Sequence, residues 1–245
     1  MTDHEPYYGH DLALVHHLGF GFHADGCAPD LIELLAPVRE RDGLVLEVGC
    51  GSGLLTRHLV DAGCRVLATD ASPAMLELAR ATAPDAEGFT TLALPDDPVP
   101  EADAIVGTGH ALNYLPDAVA VQRSLLALAR ALRPGGVFAI DLEDLEWGTA
   151  RAGVHEQSRV GDDWAIITYY EDSAPDRFVR DMTTFVRNDD GTWRRGHERH
   201  DNVLLDIAAV PPVLADEGVE VEARRSFGSH ELPVGLYAIV GTKRA

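Results

Sequence analysis

The sequence predicts an α/β fold, a doubly wound and mainly parallel seven-stranded sheet with an antiparallel β insertion near the C-terminus. From Leu31 onward, short apolar runs of strand length alternate with stretches of helical period. A glycine-rich turn, Gly49-Cys-Gly-Ser-Gly53, follows the first apolar run, and Asp70 closes the second. After Asp141 the helical periods give way to successive extended segments. These observations together predict the fold class.

The elements of the parallel part follow in chain order. Predicted strands cover residues 44–48, 65–69, 89–94, 102–107 and 136–142, and predicted helices cover 54–62, 72–82 and 118–132. Ser72 precedes Pro73, so a capping hydroxyl is followed by a proline at the first helical position, where a missing N–H costs nothing. Pro134 and Gly135 are expected to stop the third helix and turn the chain into the fifth strand.

The last third of the chain has a different pattern. Residues 164–170, 178–187 and 192–205 are predicted to be extended, with a hairpin turn at Asn188-Asp-Asp-Gly191. A short helix at 211–217 and strands at 219–226 and 235–243 then complete the main sheet. We therefore predict an N-terminal helical lid segment at 1–30, an α/β domain at 31–145 and 205–245, and an inserted antiparallel β cap at 146–204. The lid, which is rich in histidine and aromatic residues, should pack over the carboxyl ends of the strands.

Composition narrows the function classes. The chain has 245 residues, 46% of them hydrophobic, and can bury a sizeable core. Its net charge of −20, from 40 acids against 20 bases, disfavours binding to nucleic acid. The sequence has no long apolar run and no basic start followed by an apolar stretch, so we expect a cytoplasmic protein without a membrane partner. Its 3 cysteines lack metal-ligand spacing, so we expect no metal site.

The glycine turn points to a nucleoside ligand, and its spacing discriminates between ligands. A dinucleotide-binding fingerprint ends in a small residue that lets the helix pack closely on the strand. Counting from Gly49, that position is Leu54, whereas Gly53 lies one place earlier. The spacing therefore disfavours NAD.

Several motifs resemble those of a known family, the class I S-adenosylmethionine-dependent methyltransferases. Glu47-Val-Gly-Cys-Gly-Ser-Gly53 is similar to the first motif of the family, Asp70 to its ribose-binding acid, and Ala71-Ser-Pro-Ala-Met75 to the usual continuation. Leu132-Arg-Pro-Gly-Gly136 is similar to the turn before the fifth strand. The resemblance implies a Rossmann-like methyltransferase fold, S-adenosyl-L-methionine as cofactor, and in-line methyl transfer to an oxygen or nitrogen of a small-molecule acceptor. The inserted sheet resembles the substrate cover of small-molecule methyltransferases.

The resemblance also implies where the cofactor binds. The loop glycines let the backbone approach the methionyl part, and Asp70 can accept hydrogen bonds from both ribose hydroxyls. Glu47 is either a water-mediated contact to the cofactor or a structural acceptor that holds the loop. No acid directly follows the third strand, so the adenine contact passes to Thr91, Leu92 or a backbone group, with Met75 as an apolar wall. The expected cofactor-binding residues are Glu47, Gly49, Cys50, Gly51, Gly53, Asp70, Ala71, Met75, Leu92 and Gly109.

Polar residues after the fourth and fifth strands are candidates for catalysis. His110 is the expected catalytic residue, as a general base or an orienting group, and its alternative role is to close the adenosine pocket. Asp141 and Glu143 could orient the substrate or cap the sheet, and His197 and His200 lie on opposite faces of one strand. The expected substrate-binding residues are Tyr8, His17, Asn113, Asp141 and His200, although Asn113 could instead cap the next turn.

Two other functions are compatible with these patterns. One is a non-catalytic S-adenosylmethionine-binding module, and the other, disfavoured by Leu54, is an NAD(P)-dependent oxidoreductase. We expect a small molecule as the partner, and a homodimer is compatible with the sequence.

Overall fold

A computed structural model describes residues 7–171 and 173–245 of the chain. The N-terminal helices are α1 (His10–Gly19), α2 (Phe22–Leu34) and α3 (Ala36–Glu40). The central elements are β1 (Leu44–Val48), α4 (Leu54–Asp61), β2 (Arg65–Asp70), α5 (Pro73–Thr82), β3 (Gly88–Thr91), β4 (Ala102–Gly107), α6 (Ala118–Ala131) and β5 (Leu132–Glu143). The last elements are α7 (Glu146–Ala150), β6 (Glu156–Val160), β7 (Trp164–Glu171), β8 (Arg177–Arg187), β9 (Trp193–Val203), α8 (Val210–Ala215), β10 (Val219–Arg224) and β11 (Leu236–Lys243).

The main sheet has seven strands in the order β10-β11-β5-β4-β1-β2-β3. Strands β1 to β5 pair in parallel, and β11 pairs antiparallel with both β5 and β10. From β1 the chain builds outward to β2 and β3 on one side, then crosses to β4 and β5 on the other. The sheet therefore has its switch point between β1 and β4, where α/β folds bind ligands. The predicted fold class is confirmed.

Helices cover both faces of this sheet because the strands carry apolar residues on both faces. On one face, Leu31 of α2, Leu59 of α4 and Leu76 of α5 are buried against the strands. On the other face, Leu128 of α6 and Leu214 of α8 are buried in a second cluster. Burial of each such side chain stabilises the fold by about 1.5–3 kcal/mol.

Local signals explain where the central helices begin. The Ser72 hydroxyl accepts a hydrogen bond from the backbone N–H of Met75 at 3.2 Å, which confirms the predicted cap of α5. Asp117 caps α6 in the same way, by accepting from the N–H of Ala120 at 2.8 Å. Helix α4 begins after Gly53, which adopts the left-handed conformation at φ +81°.

The second sheet is antiparallel, in the order β6-β7-β8-β9. The predicted hairpin turn is confirmed: the N–H of Asn188 donates to the carbonyl of Thr192 at 2.8 Å, and Gly191 has φ +83°. Strand β6 escaped prediction because all five of its residues are exposed and most are polar, so it has no apolar alternation. Helix α7 was not predicted either, because none of its five residues is buried and its sequence therefore lacks an apolar face.

Two predicted boundaries were wrong by three residues or more. Strand β5 begins at Leu132 rather than at residue 136, because Leu132 already pairs with Ala102 before a register shift in the β4–β5 pairing. Strand β3 ends at Thr91 instead of continuing to 94, because the N–H of Ala93 bonds to the carboxylate of Asp97 rather than to a neighbouring strand.

Helix α1 lies between the two sheets. Leu12 and Val15 of α1 pack with Ile166, Met182 and Val186 of the antiparallel sheet in a third apolar cluster. On its other side α1 contacts α5 of the main layer. Within the described residues, no helix is long and apolar enough to cross a membrane.

Candidate cofactor and acceptor site

A cavity of about 1080 Å³ lies at the carboxyl ends of the parallel strands. Its floor is formed by the loops after β1, β2 and β4, and its cover by α1, α2, α7 and the inner face of the antiparallel sheet. This is the switch point of the main sheet, so the topology and the cavity agree. The volume is at the upper end of the range for small-molecule sites and leaves room for two ligands side by side.

The three glycines of the glycine loop have different surroundings, so each is required for a different reason. Gly51 has φ +54°, and a Cβ added there would meet nothing within 4 Å, so it faces open space. A Cβ on Gly49 would lie 2.3 Å from the Cβ of Ala111, in the loop after β4. A Cβ on Gly53 would lie 2.9 Å from the Cα of Ala79, so this glycine lets α4 pack on α5. Gly49 and Gly51 line the cavity, whereas Gly53 is not brought to its wall.

Asp70 holds its carboxylate at the cavity wall, at the end of β2. Its Oδ2 accepts from the N–H of Gly51 at 2.9 Å, and its Oδ1 accepts from the N–H of Ser72 at 2.8 Å. Burial raises the pKa of Asp70, although these backbone hydrogen bonds act in the opposite direction. Each carboxylate oxygen has a second lone pair, so Asp70 can still accept from a vicinal diol.

Glu47 has a structural partner as well as a place at the cavity wall. Its side chain is buried, and Oε2 accepts from the Thr56 hydroxyl at 2.7 Å, which joins β1 to α4. Burial raises the pKa of Glu47 to about 8. The loop-holding alternative for Glu47 thus has a defined hydrogen bond, and its ligand contact stays a prediction.

His110 lies between the end of β4 and the buried acids of β5. Its ring Nε2 is 3.1 Å from Oε1 of Glu143, and its backbone N–H donates to Oδ1 of Asp141 at 2.6 Å. Burial lowers the pKa of His110 to about 3, and burial also raises the pKa of Glu143 to about 8. At neutral pH the His110 ring is therefore neutral, a state in which an imidazole nitrogen can accept a proton.

The buried carboxylate of Asp141 holds the loop after β4 by hydrogen bonds. Besides His110, its carboxylate accepts from the N–H of Gly109 at 3.0 Å and lies 2.7 Å from Nε2 of His23. Asp141 is buried and does not line the cavity, whereas Gly109 and His23 do. Asp141 thus shapes the loop after β4 and ties helix α2 to it.

An aromatic and cationic cluster lines the covering side of the cavity. The hydroxyls of Tyr8 and Tyr114 are 2.6 Å apart, and Nη2 of Arg180 donates to the Tyr114 hydroxyl at 2.8 Å. Tyr8 was expected here. Arg180, Tyr114, His16, His23 and Trp147 were not among the expected site residues, yet all five line the cavity. The sequence signal for Arg180 was its spacing. Arg180 lies two residues from the apolar Phe178 and two from Met182, so all three share one face of β8.

The other expected substrate residues do not line the cavity. Asn113 is fully buried, and its amide bonds to the backbone of Glu143 and Val203, so it joins β5 to β9. His17 lies 2.9 Å from the Ser52 hydroxyl of the glycine loop. His200 is buried with its Nε2 at 3.0 Å from Glu198, and burial lowers its pKa.

The remaining expected cofactor residues line the cavity, namely Cys50, Ala71, Met75 and Leu92. Within residues 7–171 and 173–245, no group of histidine, cysteine and acidic side chains is placed to hold a metal ion.

The doubly wound sheet, the glycine loop after β1 and the acid that ends β2 define a class, the S-adenosylmethionine-dependent methyltransferase fold. Among solved structures, a sugar N-methyltransferase from a Streptoalloteichus species is similar, with a TM-score of 0.78 and 21% identity. The similarity covers 100% of this chain and 98% of that one. At this identity the comparison shows the fold.

Sequence comparison finds similarity in the central part of the chain. A family model described as a methyltransferase domain matches residues 45–136. The resemblance that the motifs predict is therefore confirmed. An uncharacterized methyltransferase of Mycobacterium tuberculosis is 36% identical over 112 residues, 44% of this chain and 42% of the relative. A trans-aconitate 2-methyltransferase of Methylobacterium radiotolerans is 36% identical over 124 residues, 46% of this chain and 43% of the relative. The chain thus spans less than half the length of these relatives.

Proposed function

We propose that this protein is an S-adenosylmethionine-dependent methyltransferase that methylates an oxygen or nitrogen atom of a small molecule. The observation that carries the proposal is the relationship of Asp70 to Gly51. A buried carboxylate with free lone pairs and a glycine that faces open space are joined by a 2.9 Å hydrogen bond at the wall of one cavity. A ribose diol requires the first, and close approach of a ligand to the backbone requires the second.

The cofactor residues follow from this placement. Asp70 would bind the ribose hydroxyls, while Gly49 and Gly51 would admit the methionyl part along the loop. Leu92 and Met75 line the cavity and would provide apolar walls for the adenine ring. The open space at Gly109, where an added Cβ would meet nothing within 4 Å, lies on the β4 side of the cavity and leaves room for the transferred methyl group.

When bound, the cofactor supplies a methyl group that is already activated by its sulfonium. The protein must therefore align the acceptor with the carbon–sulfur bond, at about 3–3.5 Å, and exclude water. Neutral His110, whose Nε2 lies 3.1 Å from Oε1 of buried Glu143, would accept a proton from a hydroxyl or orient an amine. Tyr8 and Tyr114 would wall the acceptor next to His110, because the Tyr114 ring stacks on the His110 ring at 5.6 Å.

We propose the division of the chain that the sequence predicts. The N-terminal lid (1–30) and the β cap (146–204) would cover the substrate pocket, and the α/β domain (31–145 and 205–245) would bind the cofactor. Residues 1–6 of the lid and residue 172 of the cap lie outside the described residues. The cavity carries lining residues from all three parts, such as His23, Gly51 and Arg180. This arrangement would bury the reacting atoms away from bulk water.

Calorimetry with S-adenosylhomocysteine and, separately, with NADH tests the proposal. We expect micromolar binding of S-adenosylhomocysteine and no binding of NADH. Incubation of the protein with methyl-labelled S-adenosylmethionine and a library of small alcohols, acids and amines then tests turnover. Binding of the cofactor without transfer to any acceptor would favour a non-catalytic binding module, and NADH binding alone would exclude both functions.

A further inference from the structure

The covering side of the cavity is unusually rich in arginine. Four arginines line the cavity, all from the segment after β5, namely Arg151, Arg159, Arg177 and Arg180. The whole chain has 20 basic residues against 40 acidic ones. In a chain with this excess of acids, arginines are expected to pair with carboxylates. Whether each of these four arginines has a carboxylate partner is therefore informative.

Three of the four arginines lack such a partner. Among the residues that the structure describes, no carboxylate oxygen lies within 4.0 Å of Arg151, Arg159 or Arg180. Arg177 is paired with Asp201 at 3.5 Å. Arg159 lies over the rings of Phe20 and Phe22, near the rim formed by the N-terminal helices. The unpaired positive charge inside the cavity is thus concentrated at Arg151 and Arg180.

Unsatisfied hydrogen-bond donors belong to two cavity-lining residues, Arg180 and Trp147, which both lie near the Phe178 ring, at 5.8 Å and 6.1 Å from its centre. The Nε of Arg180 and the indole Nε1 of Trp147 are both buried without a hydrogen-bond partner among the described residues. The Arg151 guanidinium lies 3.1 Å from the centre of a Trp147 ring, so it is next to one of these donors. Both nitrogen atoms can only donate, and leaving a buried donor unpaired is costly. A ligand with acceptor oxygens would satisfy them.

The buried acid Glu143, whose pKa Arg180 and Arg151 influence, does not cancel this charge. Both oxygens of Glu143 are buried without a hydrogen-bond partner among the described residues, although Oε1 lies 3.1 Å from His110. Burial raises the pKa of Glu143 to about 8, even with Arg180 and Arg151 acting to lower it. At neutral pH this carboxyl is therefore mostly protonated, and the cavity keeps the positive charge of the two arginines.

We propose that the methyl acceptor carries an anionic oxygen group, a carboxylate or a phosphoryl group, which Arg180 binds together with Arg151 and the Trp147 indole N–H. The inference deepens the proposed function and rests on it. The rings of His110 and Trp147 are 5.9 Å apart, so the anion lies within the length of a small molecule from the methyl-accepting end. A fork of N–H donors on Arg180 suits such an oxyanion.

Binding of four probes to the protein saturated with S-adenosylhomocysteine tests the proposal by calorimetry. The probes are benzoate and its neutral counterpart benzamide, and phenyl phosphate and its neutral counterpart phenol. We expect at least one anion to bind about tenfold or more tightly than its neutral counterpart, and the stronger anion identifies the carboxylate or phosphoryl source. Equal binding within both pairs, or no binding of either anion at millimolar concentration, would overturn the proposal.

Variants locate the anion site. Arg180→Gln should reduce the affinity for the preferred anion by about tenfold or more, and Trp147→Phe, which removes one N–H donor, should reduce it by a smaller factor. Arg195→Gln is the matched control, because Arg195 is exposed on the same sheet and does not line the cavity. If Arg180→Gln does not fold, Trp147→Phe decides, and unchanged anion affinity in the folded variants would contradict the site. Failure of the wild-type protein to bind S-adenosylhomocysteine would instead contradict the proposed function.

Discussion

Nε2 of His23 lies 2.7 Å from Oδ2 of Asp141, and this contact joins the N-terminal helix α2 to the carboxyl end of β5. Burial by itself would lower the pKa of His23, but the hydrogen bond and the charge of Asp141 outweigh it and raise the pKa to about 10. Burial would likewise raise the pKa of Asp141, but its contacts with His23 and His110 lower it below its ordinary value. The pair therefore carries opposite charges at neutral pH and holds the cover on the site.

This pair predicts a pH-dependent contribution to stability. The raised pKa of His23 stabilises the fold fully below its unfolded pKa of about 6.5, and the benefit is lost as pH rises toward about 10. The lowered pKa of Asp141 stabilises the fold above its unfolded pKa of about 3.9, and that benefit is lost as pH falls through the folded value. The contribution should thus be greatest near pH 5–6.

His23→Gln should therefore lower the free energy of unfolding by about 1–3 kcal/mol near pH 5.5, and by progressively less toward pH 10. Urea unfolding of the variant and the wild-type protein across this range measures the difference. His10→Gln is a suitable control, because His10 is exposed and its partner Asp11 is a surface contact. A loss of stability that is the same at every pH would contradict the charged pair.

Asp70→Asn should weaken the binding of S-adenosylhomocysteine by at least about tenfold, because the ribose loses charge-assisted hydrogen bonds. The asparagine oxygen can accept from only one of the two backbone N–H groups that the carboxylate binds, those of Gly51 and Ser72, so the melting temperature should also fall and the affinity is measured where the variant is folded. Calorimetry and thermal unfolding measure the two effects. Asp96→Asn is the control, since Asp96 is exposed and pairs with Arg123 at the surface. An affinity equal to that of the wild-type protein would remove Asp70 from the site.

The glycine loop predicts a reciprocal result for two neighbouring substitutions. Gly51→Ala should weaken cofactor binding more than stability, because the new methyl group points into open space at the cavity. Gly53→Ala should mainly destabilise the fold, because its methyl group would meet Ala79 and the residue has φ +81°. The backbone conformation alone costs about 1–2 kcal/mol in each variant. Calorimetry of cofactor binding and thermal unfolding are measured for both variants, so that each variant is the control for the other. The same pattern of changes in affinity and stability in both variants would contradict the assignment.

His110→Gln should lower turnover more than cofactor affinity, for any acceptor that the wild-type protein methylates. Because burial lowers the pKa of His110 to about 3, its ring stays neutral well below pH 6. The decrease of kcat/KM at low pH that protonation of His110 causes should therefore have its midpoint far below the ordinary histidine pKa of about 6.5. A limb centred near 6.5, or turnover that the substitution leaves unchanged, would remove His110 from the proposed role.

Much of the fold could be predicted because its signals are local. The apolar runs, the Ser72 cap and the Asn188–Gly191 turn are each readable within a few residues, and each lies where the sequence predicts it. Strand β6 could not be predicted, because pairing with β7 rather than burial makes it a strand. Its exposed residues carry no alternation that would identify it.

The site divides in the same way. The sequence by itself determined the proposed cofactor side, since Gly51, Asp70 and Met75 lie close along the chain, in two consecutive strand–loop–helix units. Only the tertiary structure decided the proposed acceptor side, because His23, Trp147 and Arg180 come from distant segments and line one cavity through packing of the cover on the sheet. The tertiary structure also shows that Asn113 and His200, which were expected to contact the substrate, are fully buried. The physical reason is that a local motif specifies backbone geometry, whereas burial, charge pairing and pKa depend on every segment that packs around a group.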